Sequence, residues 1–194
     1  MNYEELKEIL LSDKPSELIK EQESKIFEFI PELKKSKNFN QHNIWHIYDV
    51  YEHILHVVDG VPANIISRLT ALFHDTGKPA AFTQDENGVG HFYGHWDLSK
   101  EIFLSFASKN NFDEETTSRV AKLIEFHDIR IEQMSDDEIK ELVSNFDEED
   151  INLLFDQKNS DLLAQNSIYH HLLKKYEEQR KRVLCIYKTL LKTS

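Results

Sequence analysis

Residues 63–79, ANIISRLTALFHDTGKP, are apolar on most faces until a histidine and an aspartate arrive side by side; Gly77 and Pro79 follow. An apolar run of this length at helical spacing reads as a buried helix, and Pro79 blocks its continuation. His74 and Asp75 are therefore expected to end a core helix with an imidazole and a carboxylate at one point, and Gly77 to let the chain turn sharply after them. Upstream, IWHIYDVYEHILHVVDG (residues 44–60) reads as a second helix, closed by Gly60 and Val61-Pro62. Steps of three and four residues put His46, Asp49, His53 and His56 on one stripe of it. Four polar residues in register on an otherwise apolar helix, with His-Asp soon after, point to at least one metal ligand, and His53 is the first choice. Asp49, one turn earlier, is read as a hydrogen-bond partner of the His53 ring, with a place in a binuclear centre as the alternative.

Working outward, the N-terminal region reads as helices over residues 3–11 and 16–35, with Ser16 as N-cap and Pro31 kinking or ending the second. Residues 80–94 hold three of the five glycines and an Asn-Gly pair, so a short β-hairpin near residues 82–93 is the single credible β element, with His91 as a loop histidine. A helix over 97–109 follows, with His95 at its mouth. The next, over 113–128, has Asp113 as N-cap and ends in EFHD, which places His127 and Asp128 at its C-terminus. Ser135 caps an acidic helix through Val143. Residues 146–166 form one more helix, with Leu154, Gln157 and Asp161 on one side next to Lys158, and a last helix runs from about 167 to 192. Its run of Lys174, Lys175, Arg180, Lys181 and Arg182 reads as a solvated face. The expectation is an all-α chain, a single domain over 1–194 with its core at about 40–167. Trp45, Tyr48, Tyr51 and Trp96 are read as core aromatics, with base stacking as the alternative.

At 194 residues and a formal charge of −12, the chain is large enough for a sizeable core and lacks the basic surface usual for long nucleic acids. A small phosphorylated substrate drawn to a metal site is compatible with an acidic exterior. MNYEELKEIL is too acidic for a secretion signal, and no apolar run approaches the roughly 20 residues that span a bilayer. The single Cys185 excludes an internal disulfide framework, fits a reducing cytoplasm, and reads as a small apolar residue in a helix core.

The pattern H…HD…H…H…D, carried by His53, His74, Asp75, His95, His127 and Asp161, resembles the HD superfamily of metal-dependent phosphohydrolases. The segments PELK, QHNIWHIYDVYEHILHVVD, ALFHDTGKP, GHWDLSKEI, EFHD and SDLLAQN, over about residues 31–166, are similar to the HD portion of bacterial tRNA nucleotidyltransferases. No Gly-Ser pair with paired aspartates on a strand precedes them, so the resemblance implies a free-standing HD-domain helical bundle and not CCA addition. It implies His53, His74, Asp75 and Asp161 as ligands of a divalent metal, one or two ions of Mn, Fe, Ni, Co, Zn or Mg. It implies Asp75 as the group that orients water, and His95 and His127 as ligands of a second ion or holders of the substrate phosphate. Lys78 is a candidate phosphate contact, with a solvated lysine as the alternative. The reaction implied is hydrolysis of a phosphate ester, on a nucleotide or other small phosphorylated molecule, with a tRNA-like substrate left open. Two readings stand beside it: a metal-containing nucleotide-binding or regulatory module without turnover, and a helical interaction protein that uses residues 167–192 as its surface.

Overall fold

The computed structural model describes residues 1–193. Four short helices open the chain: α1 (Tyr3–Leu10), α2 (Pro15–Glu21), α3 (Glu23–Phe29) and α4 (Pro31–Ser36). The single helix expected over 16–35 is thus broken into three pieces. Pro31 starts a new helix at its first position, where its missing N–H costs nothing. Ser16 lies inside the first turn of α2, and its hydroxyl donates to Asp59 Oδ2 at 2.6 Å.

The helix expected over 44–60 begins only at Val50: α5 is Val50–Gly60, with Asp49 as its N-cap. The Asp49 carboxylate accepts from the N–H of Glu52 at 2.7 Å and of Asn38 at 2.8 Å. Asp49 therefore caps the helix and fixes the preceding loop; it does not orient the His53 ring. His46 lies in that loop and not on a stripe with His53, and His56 is exposed and stacked on Tyr48 at 4.2 Å. The asparagine at 64 caps α6 (Ile65–Phe73), accepting from Ser67 N at 2.9 Å, and residues 66–73 of that helix are all buried.

A short helix α7 (Lys78–Ala81) leads to the expected hairpin, in which β1 (Thr83–Gln84) pairs antiparallel with β2 (Gly90–His91). Then come α8 (His95–Lys109), α9 (Glu114–Phe126, capped by Asp113), α10 (Asp136–Val143, capped by Ser135) and α11 (Glu148–Leu163). A 3-10 turn over Ser167–Leu172 precedes α12 (Leu173–Thr193). The all-α expectation holds, with the two-stranded hairpin as its β element.

One apolar core runs from Leu6 in α1 to Val183 in α12 and contains Tyr51, Phe73, Phe103 and Phe155 with no exposed surface. Burying each such ring contributes roughly 2–3 kcal/mol. Helices α5, α6, α9 and α11 pack around this core, which brings one end of each to a common place. Gly60 of α5 packs against the Ser160 side chain of α11. A Cβ there would lie 2.1 Å from Ser160 Oγ, whose hydroxyl donates to the Val57 carbonyl at 3.0 Å. Cys185, expected in a helix core, is exposed. The basic run on α12 is not simply solvated: Arg180 pairs with Asp156 and Arg182 with Asp136, which ties the helix to α11 and α10. Among the described residues no helix is long and apolar enough to cross a membrane.

Candidate metal centre

His74 ends α6 in right-handed helical geometry, and Thr76 Oγ1 donates back to the Phe73 carbonyl at 2.8 Å, so the chain rolls over without strain. Gly77 also has right-handed geometry, with φ −78° and ψ −16°. Its glycine identity is needed for close approach and not for the turn as such. A Cβ there would lie 2.5 Å from the His95 carbonyl oxygen and 2.7 Å from Ser99 N, while its N–H donates to Ser99 Oγ at 2.9 Å. The first turn of α8 is thereby pressed against the His-Asp turn, and His95, the first residue of α8, is carried to Asp75.

Four imidazoles converge on Asp75. His53 Nε2 and His74 Nε2 each lie 3.4 Å from Asp75 Oδ2; His95 Nε2 lies 3.2 Å and His127 Nε2 3.7 Å from Oδ1. Asp161, from the last turn of α11, places Oδ1 2.8 Å from His53 Nε2 and 3.5 Å from His74 Nε2. All six residues singled out by the motif are therefore brought together, in two sets that share Asp75: His53, His74, Asp75 and Asp161 on one side, and Asp75, His95 and His127 on the other. His53 and His74 have no exposed surface and Asp75 is 1% exposed.

Each ring is oriented by a backbone carbonyl on its far side. Nδ1 lies 2.8 Å from Ala71 O for His74, 2.8 Å from Phe92 O for His95 and 2.6 Å from Ile124 O for His127; for His53 the partner is Ala164 O at 3.4 Å. A carbonyl only accepts, so these contacts put a proton on each Nδ1 and turn each Nε2 toward the centre, where a cation can displace any proton it carries. Two consequences bear on a cation. The Nε2 atoms of His95 and His127 face each other at 3.1 Å, close enough for one cation to bind both. His74 Nε2 and Asp75 Oδ2 are buried without a hydrogen-bond partner. A buried polar atom without a hydrogen-bond partner is costly, and a divalent ion satisfies several at once. Two His and two carboxylates without thiolate form a donor set suited to Mn, Fe, Ni, Co, Zn or Mg, so the residues fit such an ion.

The charges follow from this crowding. Burial alone would lower His74, but the carboxylates of Asp75 and Asp161 outweigh it and raise it from 6.5 to about 10. Burial would raise Asp75, yet His74, Lys78 and His127 hold it well below the usual carboxylate range; His53 and His74 do the same for Asp161. Burial lowers His127, and burial with the Lys78 charge keeps His46 neutral, down to about 2.

Lys78 is not solvated. It is buried, with Nζ 2.7 Å from Asp75 Oδ2 as an ion pair without hydrogen-bond alignment, and it donates to Gln41 Oε1 at 2.9 Å. The cluster forms the floor of a cavity of about 900 Å³ whose wall includes Lys78, Phe92, Tyr93, Trp96 and Arg130. Tyr93 at its rim is 76% exposed, so the cavity opens to solvent. Of the aromatics read as core, Tyr51 is buried, Trp96 lines this cavity, and Trp45 is 44% exposed. His91 stays at the hairpin surface, paired with Asp85 at 3.2 Å.

The HD domain family model matches residues 43–191, most of the chain. The chain belongs to the HD domain family. HD-domain proteins bind divalent metals and are generally metal-dependent hydrolases, and the His/Asp cluster is able to hold such an ion. Two relatives share its sequence more closely. An A-adding tRNA nucleotidyltransferase of Deinococcus radiodurans is 26% identical over 108 residues, covering 53% of this chain and 25% of that protein. A CC-adding tRNA nucleotidyltransferase of Thermus thermophilus is 33% identical over 105 residues, covering 51% of this chain and 24% of that protein. The chain thus spans about a quarter of the length of these curated relatives.

Sequence reading missed Gln41, which holds Lys78; Gln165, whose amide donates to Asp161 Oδ2 at 2.8 Å; and Arg130 at the cavity wall. Gln41 and Gln165 lie within the segments QHNIWHIYDVYEHILHVVD and SDLLAQN, but nothing in their spacing marks the contacts they make. The cap at Asp49 was legible, because Asp49 and Glu52 have the spacing of a helix start.

Proposed function

We propose that this HD domain hydrolyses a phosphate ester on a nucleotide or other small phosphorylated molecule, with a divalent metal as its cofactor. The observation that carries the reading is the placement of Asp75, one oxygen toward His53 and His74 and the other toward His95 and His127, at the floor of an open cavity. His53, His74, Asp75 and Asp161 would hold one ion, and Asp75, His95 and His127 a second. Metal bound there supplies Lewis acidity, which lowers the pKa of a coordinated water and offsets the charge that grows on the phosphoryl oxygens.

The remaining work falls to the chain's own residues. The backbone carbonyls behind the four histidines keep every Nε2 turned inward. His74 and Lys78 keep Asp75 ionised at neutral pH, so the carboxylate can accept a hydrogen bond from the attacking water and orient it. Arg130 lines the cavity as a donor for phosphoryl oxygens, and Trp96 offers a ring on which a base can stack. A nucleotide substrate is supported by the relatives, whose names describe enzymes of tRNA nucleotidyl transfer. The continuous apolar core supports residues 1–194 acting as one unit. The single exposed Cys185 suits a cytoplasmic setting.

The test uses protein stripped with a chelator and reloaded with Mn, Fe, Ni, Co, Mg or Zn. It is offered bis(p-nitrophenyl) phosphate, p-nitrophenyl phosphate and a panel of nucleotides. Metal-dependent hydrolysis is expected, and loss of it in the double variant His74→Ala, Asp75→Ala. Bound metal without turnover of any substrate would make the domain a non-catalytic binding module. Absence of bound metal would overturn the reading altogether.

A further inference from the structure

The cluster does not lie at the end of a blind pocket. Beside the 900 Å³ cavity lies a second chamber of about 400 Å³, and the two share His46, Asp161, Gln165 and the run from His127 to Arg130, Asp128 included. The larger arm runs toward the hairpin and α8 and is walled by Phe92, Tyr93 and Trp96. The smaller arm runs the other way, between α11 and the start of α12, and is walled by Trp45, Leu172 and Tyr176 with Lys158 beside them. Its wall is built firmly: Trp45 stacks on Tyr169 with ring centres 3.7 Å apart, and Asn166 N donates to the Trp45 carbonyl at 2.9 Å. Aromatic rings therefore stand on both sides of the cluster.

Resting on the hydrolase reading, we infer that the substrate is a phosphodiester carrying a ring-bearing group on each side of the phosphorus. The phosphorus lies at the seam of the two arms and one substituent lies in each. A phosphomonoester would leave one arm filled only with water, while a diester buries apolar surface on both sides.

Charge points the same way. A monoester carries close to two negative charges at pH 7 and a diester one. Lys78 is committed to Asp75, and Lys158 and Lys175 line only the smaller arm. Arg130 is the cation that lines both arms, and it forms no ion pair among the described residues. Its charge is offset by the Asp128 carboxylate, which lines both arms as well, so the arms offer less positive charge than a dianionic monoester calls for.

In the reaction, the oxygen of a water forms a bond to phosphorus as the bond to one ester oxygen breaks. The water's proton ends on that departing oxygen, and the products are one alcohol and one phosphomonoester.

The experiment compares diadenosine 3′,5′-monophosphate with AMP, and bis(p-nitrophenyl) phosphate with p-nitrophenyl phosphate, on the metal-loaded full chain. Affinities of the phosphorothioate analogues of the first pair are measured by calorimetry, which needs no turnover. The diester is expected to have at least about tenfold higher kcat/KM and tighter binding, since one stacked base contributes roughly 1–3 kcal/mol. Two variants alter the smaller arm in opposite senses. Tyr176→Ala removes a wall, and Leu172→Trp fills the space without removing a polar group. Both should raise KM for the dinucleotide and bring the diester-to-monoester ratio toward one, with thermal melting confirming that each is folded.

Equal or better hydrolysis of the monoesters would overturn the inference while leaving the hydrolase reading intact. So would a ratio that a folded Leu172→Trp protein does not change. If no compound is hydrolysed, the hydrolase reading fails, and the binding comparison still decides whether both arms are used.

Discussion

Two turns of this molecule carry the same three residues in the same conformation. Phe73-His74-Asp75 ends α6 and Phe126-His127-Asp128 ends α9. Both histidines cap their helices in right-handed geometry, and both hold Nδ1 against the carbonyl three residues earlier, at 2.8 and 2.6 Å. The aspartates then part company. Asp75 is buried at the meeting point of four imidazoles; Asp128 is exposed. The difference lies two residues on. Gly77 admits the first turn of α8, whose His95 carbonyl would clash with any side chain there, whereas the equivalent place after Asp128 is held by Arg130, at a cavity wall. The turns are also fastened differently. Thr76 satisfies a carbonyl of the first from within, while Lys158 reaches across from α11 to the carbonyls of His127 at 3.2 Å and Ile129 at 2.8 Å in the second. A His-Asp pair becomes central through what packs on it, not through the dipeptide alone.

The largest expected effect separates the two aspartates. Asp75→Asn removes the charge shared by both His pairs and should lower phosphate-ester hydrolysis on the order of a thousandfold or more. Asp128→Asn should stay within a few-fold, and equal losses in steady-state assays would dissolve the contrast. Next come the positions two residues on. Gly77→Ala puts a Cβ against backbone atoms of α8 and should cost about 2–3 kcal/mol in chemical denaturation. Arg130→Ala, on the surface, should change stability by less than about 0.5 kcal/mol.

Smaller still is the fastening of the second turn. Lys158→Met frees the His127 turn and should weaken metal binding on the His95–His127 side by roughly tenfold, the usual scale for a group that orients a ligand. Calorimetric titration would show this as a selective loss of one of two binding events, and loss of both together would contradict the separate roles.

The two turns also differ in protonation. In the metal-free protein His74 is raised from 6.5 to about 10, whereas His127 is lowered. His74 therefore carries a proton at neutral pH that an incoming ion must displace. Metal affinity should rise about tenfold per pH unit on this account and level off toward pH 10. The same shift stabilises the metal-free fold fully below pH 6.5, and that contribution is lost as pH rises through about 10. A pH-independent metal affinity would show that His74 is neutral.

The gathering of His53, His74, Asp75, His95, His127 and Asp161 was legible through the resemblance to the HD superfamily that these six residues carry, and the fold does bring them together. What misled was periodicity over residues 44–49. His46 and Asp49 have helical spacing to His53, yet Asp49 prefers to cap, since its carboxylate satisfies free backbone donors of both α5 and the preceding loop. Nothing local marks the break at Gln22 between α2 and α3. Gln41, Lys158 and Gln165 escaped for a different reason. Each acts on a residue 4 to 37 positions away, through a contact that only the folded chain creates.

The most direct measurement counts ions. Wild-type protein and Asp75→Asn, both folded by thermal melting, are dialysed to equilibrium against Mn²⁺ or Fe²⁺ and analysed for metal per chain. If Asp75 joins two His pairs into one metal centre, wild type retains one or two ions and the variant none. A variant that retains the wild-type number would show that the ions lie elsewhere, and would contradict the account at its centre.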